Sequence, residues 1–466
     1  MIRYIGLDVH KETIEVCVLH GTGKVLARHK VPCQREAIQD FAQQQLTHED
    51  KVVLEATTNT WAVVQLVQPF VQQVVVGNPL KIKAIAEAKI KTDKIDAEVL
   101  AQLLRCDYLP TVWHPDAATQ QLRQLTAHRS TLIRDRSRIK NRVQSVLAQL
   151  LIEPPVTVLF TKTGIEWLRQ VALPADDRLI INSELKILDQ VEAELLVIDQ
   201  RLSELAYPHE QVRLLMTLPG IGFAVAQALI AALGDPSRFR DGDHAASYLG
   251  LTPSTYQSAR HCYHGHITKA GNSQARWMLT QAAQQAAHHP GPVGVFFRRL
   301  LRRKTRNVAI VATARKLVTI AFLMLKNNEP YRYAVPSTTE DKLQELRCQA
   351  TGQRQKPRGP IKPKVRRPPG VRARITPPLQ QVYALQGLPP AKLPSELADG
   401  EKKALKEKGV FRWTQTIQKP QEKLWVERHQ AAKNSSEAPK TSSETAAKIR
   451  HDQNLIFSSQ VPKSSK

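Results

Sequence analysis

The chain opens with apolar and polar positions in strict alternation, the period of a β-strand. In YIGLDV the apolar residues Ile5, Leu7 and Val9 fall on one face, while Gly6 and Asp8 fall on the other. A strand with an acid on one face has to place that acid either in solvent or in a site.

The same alternation and its breaks predict the elements that follow. They are a strand over TIEVCVL, a turn at HGTGK, a short strand around VLARHKV, helices near 35–46 and 60–69, and strands at 51–58 and 74–79. Three antiparallel strands followed by strand–helix alternation predict an α/β domain of ribonuclease-H-like fold over residues 1–110.

Residues 111–211 have a helical period instead. Apolar residues recur at spacings of three and four in two stripes, one from Leu122 to Leu150 and one from Leu185 to Leu205. The first stripe is interspersed with arginines. The pattern predicts a helical, coiled-coil-like region that forms either an antiparallel hairpin or a dimerising arm.

The rest of the chain divides by composition. The sequence pattern of residues 212–335 predicts a small, mostly α-helical domain with a polar loop in its middle. From Pro336 onward there are 26 Lys and Arg against 12 Asp and Glu, with 14 of the 29 prolines. We therefore predict that 336–466 is a disordered basic tail, with short helices near 396–408 and 422–432.

The net charge of +25 points to a polyanionic partner, with nucleic acid first and an anionic membrane surface second. The longest apolar run, 214–234, is broken by a proline and two glycines, so we expect no membrane span. The N-terminus lacks a secretory signal, and five scattered cysteines do not suggest disulfides. These features predict a cytoplasmic, nucleoid-associated protein without a small-molecule substrate.

Two like charges stand out against this basic background. In KTDKIDAEVLAQLL (91–104), Asp93 and Asp96 lie three residues apart at the start of an apolar helical pattern, so they share a helix face. The pair is explained either by the helix dipole, which favours acids in the first turn, or by a divalent metal site.

Asp8 and Glu55 are candidates to complete such a site. Each lies in an apolar strand, where an acid is unusual, although a surface-facing acid on an edge strand is the alternative. In a ribonuclease-H-like sheet the first strand is central and the fourth lies beside it, so both acids can meet the helical pair. Four converging carboxylates repel unless cations lie between them, and Mg²⁺, as two ions, suits these oxygen ligands. Lys91 and Lys94 would favour a phosphate backbone nearby.

Two segments of the second half are candidates for nucleic-acid binding. TLPGIGFAVAQALIAALGD (217–235) is similar to a helix–hairpin–helix element, in which a turn containing Gly220 and Gly222 would aim amides at a phosphate; a plain helical hairpin is the alternative. A basic cluster that includes Arg302 and Arg303 precedes the apolar segment 308–325, and it is either a nucleic-acid contact or a solvated face.

Several motifs together resemble one family. IGLDVHKE, LEATT and IDAEVLA, followed in order by LPGIG, ASYLGLTP, a Tyr-x-Ser loop and ITKAGNSQARWML, resemble the DEDD-type insertion-sequence transposases of the IS110 family. The resemblance covers residues 1 to about 333 and leaves the tail uncovered.

This resemblance implies a DNA transposase that excises and inserts its own element. Asp8, Glu55, Asp93 and Asp96 match the metal-binding acids of a RuvC-like nuclease domain, and Ser258 matches a serine that forms a covalent link to a DNA phosphate; Ser254 is the alternative. The family further implies a composite site in a homo-oligomer (dimer or tetramer), element and target DNA as substrates, and a structured non-coding guide RNA. Lys269 and Arg276 are expected to contact nucleic acid.

Two other functions stay open on the sequence. One is a metal-dependent nuclease that resolves Holliday junctions, in which the acids activate water and Ser258 has no role. The other is a non-catalytic nucleic-acid-binding remnant. The pattern GxxxxGK[ST] does not occur in the chain, which agrees with a reaction that does not consume ATP.

Overall fold

The structure is a computed structural model that describes residues 2–85, 92–258, 261–353 and 371–426. It divides into two compact units, Met1–Ala117 and Ala118–Lys466. The first boundary falls close to the predicted end of the α/β domain at 110. The predicted boundaries at 211 and 335 fall inside the second unit.

The first unit is built on a mixed five-stranded sheet with the order β3-β2-β1-β4-β5. Its strands are β1 (Arg3–Val9), β2 (Thr13–His20), β3 (Val25–Pro32), β4 (Lys51–Glu55) and β5 (Gln73–Gly77). Strands β1, β2 and β3 pair antiparallel, whereas β4 pairs parallel with β1 and β5. The prediction that the first strand is central, with the fourth beside it, is confirmed.

Helices cover both faces of this sheet. They are α1 (Arg35–Gln45), α2 (Thr60–Val67), α3 (Pro79–Ile85) and α4 (Asp93–Arg105). Ile5, Leu7 and Val9 point into the core shared with α1 and α2, and α4 packs over β1, β2 and β4 on the opposite face. The two-residue alternation of β1 therefore separates a hydrophobic face from the face that carries Gly6 and Asp8.

Two long helices begin the second unit, with a short helix between them. They are α5 (Ala117–Gln149), α6 (Lys162–Gln170) and α7 (Ala175–Ala206). Ion pairs cross from α5 to α7 in reverse order along the chain: Arg129 with Asp199, Lys140 with Glu192, and Arg142 with Glu184. The antiparallel hairpin, one of the two alternatives for this region, is therefore confirmed.

The remaining helices of the predicted C-terminal domain form one hydrophobic core around an apolar central helix. They are α8 (Glu210–Met216), α9 (Phe223–Leu233), α10 (Gly242–Tyr248), α11 (Ser273–Ala286), α12 (Pro292–Leu301) and α13 (Arg306–Asn327). Among the described residues α13 alone is long and apolar enough to cross a membrane, and 56% of its most apolar window is buried. It packs against α10, α11 and α12, so it is a core helix here.

The predicted disorder of the tail is wrong for much of 336–426. This segment contains α14 (Pro336–Thr351), β8 (Val371–Thr376), α15 (Leu379–Leu385), α16 (Asp399–Glu407), α17 (Phe411–Thr416) and β9 (Gln421–Val426). Leu343, Leu346 and the fully buried Tyr383 belong to the core of the second unit. Composition averaged over the tail concealed these anchors, because they are few and widely spaced among Pro and Lys.

The two helices predicted within the tail have different outcomes. The helix near 396–408 is confirmed as α16. The helix near 422–432 is wrong over its described part, because Gln421–Val426 pairs with β8 as a strand. The proline-rich stretch 354–370 and the residues from 427 onward lie outside the described part of the chain.

Lys342 on α14 ties the tail to the LPGIG turn. Its ammonium group donates to the carbonyl oxygens of Met216, Leu218 (2.8 Å) and Ile221 (3.0 Å). Burial lowers the pKa of Lys342 to about 7, while three acceptors match the three protons of the charged form. The turn is therefore held from inside by a residue outside the family resemblance.

Replacing Lys342 by Met is expected to lower the free energy of unfolding by about 2 kcal/mol, because buried carbonyls of the turn lose their donors. Thermal or urea unfolding of the full chain measures this change. Lys403→Met removes an exposed lysine of α16 and is expected to leave stability unchanged. Equal stability of the two variants would contradict the assigned role.

Candidate functional site

Asp8 lies on the α4 face of the central strand. Two residues earlier, Gly6 lets α4 approach closely, because a Cβ at Gly6 would lie 1.9 Å from the carbonyl oxygen of Ala97. The close approach brings the first turn of α4 to the end of β1 where Asp8 lies. The carboxylate of Asp8 is largely buried, with 17% of its side chain exposed.

Glu55 occupies the matching position on the neighbouring strand. Leu54 of β4 is in register with Leu7 of β1, so Glu55 follows beside Asp8 at a strand spacing of about 4.8 Å. Val53 packs with Leu100 of α4, and alternation places Glu55, two residues on, on that same face.

The opening turn of α4 carries the other two predicted acids. Thr92 caps the helix by accepting a hydrogen bond from the amide of Ile95, and Asp93 and Asp96 follow in the first turn. The buried residues of α4 are Ala97, Leu100 and Ala101. Where the helix comes closest to β1, opposite Gly6, its residues are the small Ala97 and Ala101.

An imidazole joins these acids. Nε2 of His10 lies 3.0 Å from Oδ2 of Asp8 and 3.5 Å from Oδ1 of Asp93. Asp8, His10 and Asp93 form a group in which the potential ligand atoms lie within 4.8 Å of one another. Of the residues described, only these three meet that criterion for a metal group.

The electrostatics of Asp8 reflect this crowding. Burial raises its pKa, the His10 ring lowers it, and the negative charges of Asp96 and Asp93 raise it further. A divalent cation would relieve both the desolvation and the repulsion. Carboxylate and imidazole donors fit a divalent metal; carboxylates alone suit Mg²⁺, and an imidazole also suits Mn²⁺ and heavier transition ions.

The segment predicted as a polar loop around Ser258 is a β-hairpin. Strands β6 (Pro253–Ser258) and β7 (His261–Ile267) pair antiparallel, and Ser258 lies opposite His261 at the end of the pairing. Ser258 is exposed, so a phosphate can reach its hydroxyl.

Ser254, the alternative nucleophile, has a different environment. It is half-buried, and its hydroxyl donates to the carbonyl oxygen of His266 at 3.2 Å. Gly265 packs directly over this hydroxyl, because a Cβ there would lie 2.5 Å from Ser254 Oγ. The hydroxyl of Ser254 thus belongs to the framework of the hairpin.

Two family models match the chain: one spans the first unit and the beginning of the second, and the other lies within the second unit. An IS110-type DEDD transposase model covers residues 5–152, and a model described as "Transposase IS116/IS110/IS902 family" covers residues 212–295. The first match contains all four predicted acids, and the second contains the serine hairpin. The chain carries both domains of the IS110 transposase family.

Relatives of this transposase extend the match along most of the chain. It is 26% identical over 346 residues to the pilin gene-inverting protein of Moraxella bovis, covering 70% of this chain and 97% of the relative. It is 22% identical to the transposase of insertion sequence IS1111A from Coxiella burnetii, covering 71% and 92%. It is 26% identical to an IS116 element protein of Streptomyces clavuligerus, covering 53% and 74%.

The two glycines of the LPGIG turn of the transposase have different surroundings. Gly220 has φ +77°, and a Cβ there would lie 2.1 Å from the carbonyl oxygen of Ala282, so it is needed for packing against α11. Gly222 has open space around it and precedes the first turn of α9. Only Gly222 lies where a phosphate could meet free helix amides, and phosphate binding there stays a prediction.

The predicted basic contacts differ in whether their side chains are exposed to solvent or hydrogen-bonded within the protein. Arg302 and Arg303 are exposed after α12, and so is Lys94 on α4. Arg276 instead donates to the carbonyl oxygens of Leu249 (3.0 Å) and Ala270 (2.8 Å), so it clamps the segment before α11.

The other two predicted basic contacts are Lys269 and Lys91. Lys269 is exposed and has a left-handed backbone at φ +55°. Lys91 lies outside the described residues. The role of each in nucleic-acid binding stays a prediction.

Sequence reasoning missed one residue of the acidic group, His10, and one buried acid on the neighbouring strand, Glu15. His10 follows Asp8 by two residues, so the alternation that placed Asp8 could have indicated it. Glu15 lies directly opposite Asp8 on β2 and is 7% exposed, with Lys30 at 3.3 Å. Its position in TIEVCVL, an acid in an otherwise apolar strand, was the same signal that identified Asp8 and Glu55.

Asp8→Asn is expected to stabilise the metal-free protein at neutral pH. The raised pKa means that ionised Asp8 is less favourable in the folded than in the unfolded chain, and this cost appears as pH rises above the ordinary carboxyl pKa. We expect the melting temperature in chelator to rise by roughly 1–3 °C, and the stabilisation by added Mg²⁺ or Mn²⁺ to disappear.

Asp40→Asn is the matched control, because Asp40 is an exposed acid of α1. It is expected to change neither the melting temperature in chelator nor the response to metal. A metal response retained in Asp8→Asn would argue against the acidic site.

Proposed function

We propose that this transposase cleaves and rejoins DNA through a covalent serine–phosphate intermediate, with divalent metal bound in a RuvC-like first unit. The observation that carries the proposal is the meeting of Asp8 with Asp93 and Asp96 across β1 and α4, in a chain with both family domains. The central first strand with a parallel fourth strand beside it supports the RuvC-like assignment.

The metal ligands in this proposal are Asp8, Glu55, Asp93 and Asp96, holding Mg²⁺ as two ions. Bound cations would neutralise charge on the phosphodiester and lower the cost of forming an alkoxide. The contribution of the chain is to hold the acids on two adjacent strands and one helix turn, so that the site exists before substrate arrives.

Ser258 supplies the nucleophile. Its Oγ forms a bond to phosphorus while the bond from phosphorus to one deoxyribose oxygen breaks, and the proton of the serine hydroxyl ends on that leaving oxygen or in solvent. The deoxyribose hydroxyl of a second strand then attacks the phosphoserine, which restores the serine and joins the new strands. The ester conserves the bond energy, so no nucleotide cofactor is required.

The environment of the two serines supports Ser258 over Ser254. The hydroxyl of Ser254 is hydrogen-bonded within the hairpin and covered by Gly265. Ser258 is exposed at the end of β6. A nucleophile has to approach phosphorus in line with the leaving oxygen, which an exposed hydroxyl at a hairpin end permits.

The family resemblance extends the proposal to partners. The substrates are element and target DNA, a structured non-coding RNA guides their choice, and the active species is a homo-oligomer. The basic charge of the chain supports binding to either nucleic acid. Gly222 before α9, together with Arg302 and Arg303, would hold phosphate groups without reading sequence.

The experiment that tests the serine mechanism is detection of a protein–DNA adduct that survives denaturant. Wild-type protein is incubated with element-end DNA, RNA transcribed from the non-coding segment of the element, and Mg²⁺, and the products are resolved under denaturing conditions. Ser258→Ala is expected to lose the adduct completely, whereas Ser254→Ala retains it, because the hydroxyl of Ser254 is hydrogen-bonded within the hairpin and Ser258 is exposed.

The same gel separates the proposal from its alternatives. Strand cleavage at full rate in Ser258→Ala, without an adduct, would show a nuclease in which the acids activate water. Asp8→Ala is expected to lose both cleavage and adduct. A wild-type chain that binds DNA without cleaving it would identify a binding remnant.

A further inference from the structure

The serine hairpin displays two large aromatic side chains to solvent. Tyr256 and Tyr263 are 69% and 68% exposed, and they lie directly opposite each other in the β6–β7 pairing. Tyr331 and Tyr383 in the same unit are instead buried. Paired exposed aromatics are uncommon on a surface that has no partner.

The register places this pair on the same face as the nucleophile. Ser258 and His261 form the second cross-strand pair after Tyr256 and Tyr263, and side chains two residues apart share a face. The contact of Thr255 Oγ1 with His264 Nδ1, at 3.0 Å, belongs to the other face. Ser258 and the two rings therefore face one partner together.

The charge of the surrounding sequence restricts what that partner can be. No Asp or Glu occurs between Asp243 and Glu329, a stretch that includes the whole hairpin. Within it lie twelve Lys and Arg residues, among them the exposed Arg302 and Arg303. A partner that is anionic and also offers flat apolar faces fits this combination, and a nucleic acid with accessible bases has both properties.

We infer that Tyr256 and Tyr263 form a stacking platform for unpaired DNA bases next to the phosphate that Ser258 attacks. In an intact duplex the base faces are covered by neighbouring bases, so two rings beside the serine would favour DNA that is locally unpaired there. Stacking would also fix the phosphate relative to the hydroxyl, which is the positional requirement for attack. The inference rests on the proposed function for the identity of the serine.

Binding to labelled DNA tests the inference without catalysis. The full chain is titrated, in chelator and at one fixed salt concentration, with a mixed-sequence single strand of about 20 nucleotides and with the duplex of the same sequence. Tyr256→Ala and Tyr263→Ala are each expected to weaken single-strand binding roughly five- to a hundred-fold. Duplex binding is expected to stay within about two-fold, because it depends on phosphate contacts.

Conservative and distant substitutions serve as controls. Tyr256→Phe and Tyr263→Phe keep the rings and are expected to bind like wild type. Tyr108→Ala removes a tyrosine that is 66% exposed in the first unit, and it is expected to have no effect. Melting temperatures verify that each variant is folded.

Three outcomes would overturn the inference. They are unchanged single-strand binding when Tyr256 and Tyr263 are both replaced by Ala, an equal loss for single strand and duplex, and, with a single-stranded RNA of the same sequence as a third probe, a loss confined to that RNA.

The proposed function is tested by a different observation: it is refuted if the wild-type protein forms no covalent adduct with DNA through Ser258. A normal adduct with unchanged single-strand binding in the tyrosine variants would refute only the platform.

Discussion

The close approach of α4 to the central strand is the contact on which the acidic site depends. The backbone of α4 at Ala97 lies so close to Gly6 that a Cβ at position 6 would not fit. The helix residues that face the sheet at this point, Ala97 and Ala101, are also small. This packing brings the first helical turn to the end of β1. Any larger residue at position 6 would push the helix away, and the acids would separate although none of them had changed.

The two candidate catalytic parts are built in different ways. The acids lie on packed strands and a packed helix, which hold them close together. Burial, together with this concentration of negative charge, raises the pKa of Asp8. Ser258 lies on an exposed two-stranded hairpin whose side chains meet solvent. The carboxylates of a metal site repel one another, so packed neighbours have to hold them in place. A nucleophile that forms an ester with DNA instead needs room for a large substrate.

The ordered tail changes how the second unit is understood. Lys342 donates to carbonyl groups of the LPGIG turn, and the hydroxyl of Tyr383 donates to the carbonyl oxygen of Tyr331 at 2.6 Å. Neither residue lies in a segment that resembles the family. Contacts of this kind connect residues more than fifty positions apart, so local composition does not reveal them. Residues after 335 therefore pack against the second unit and support the LPGIG turn.

The sequence by itself determined the strand alternation of the first unit, the long helices of the middle, and the identity of Asp8, Glu55, Asp93 and Asp96 as candidate ligands. These follow from period and residue type, which are local properties. Only the tertiary structure decided that His10 lies between Asp8 and Asp93, that Ser258 is on a hairpin rather than a loop, that Arg276 clamps backbone, and that the tail enters the core. The contact of His10 with Asp93 and the packing of the tail depend on which distant segments touch, and neither the hairpin nor the hydrogen bonds of Arg276 follow from a periodic pattern in the sequence.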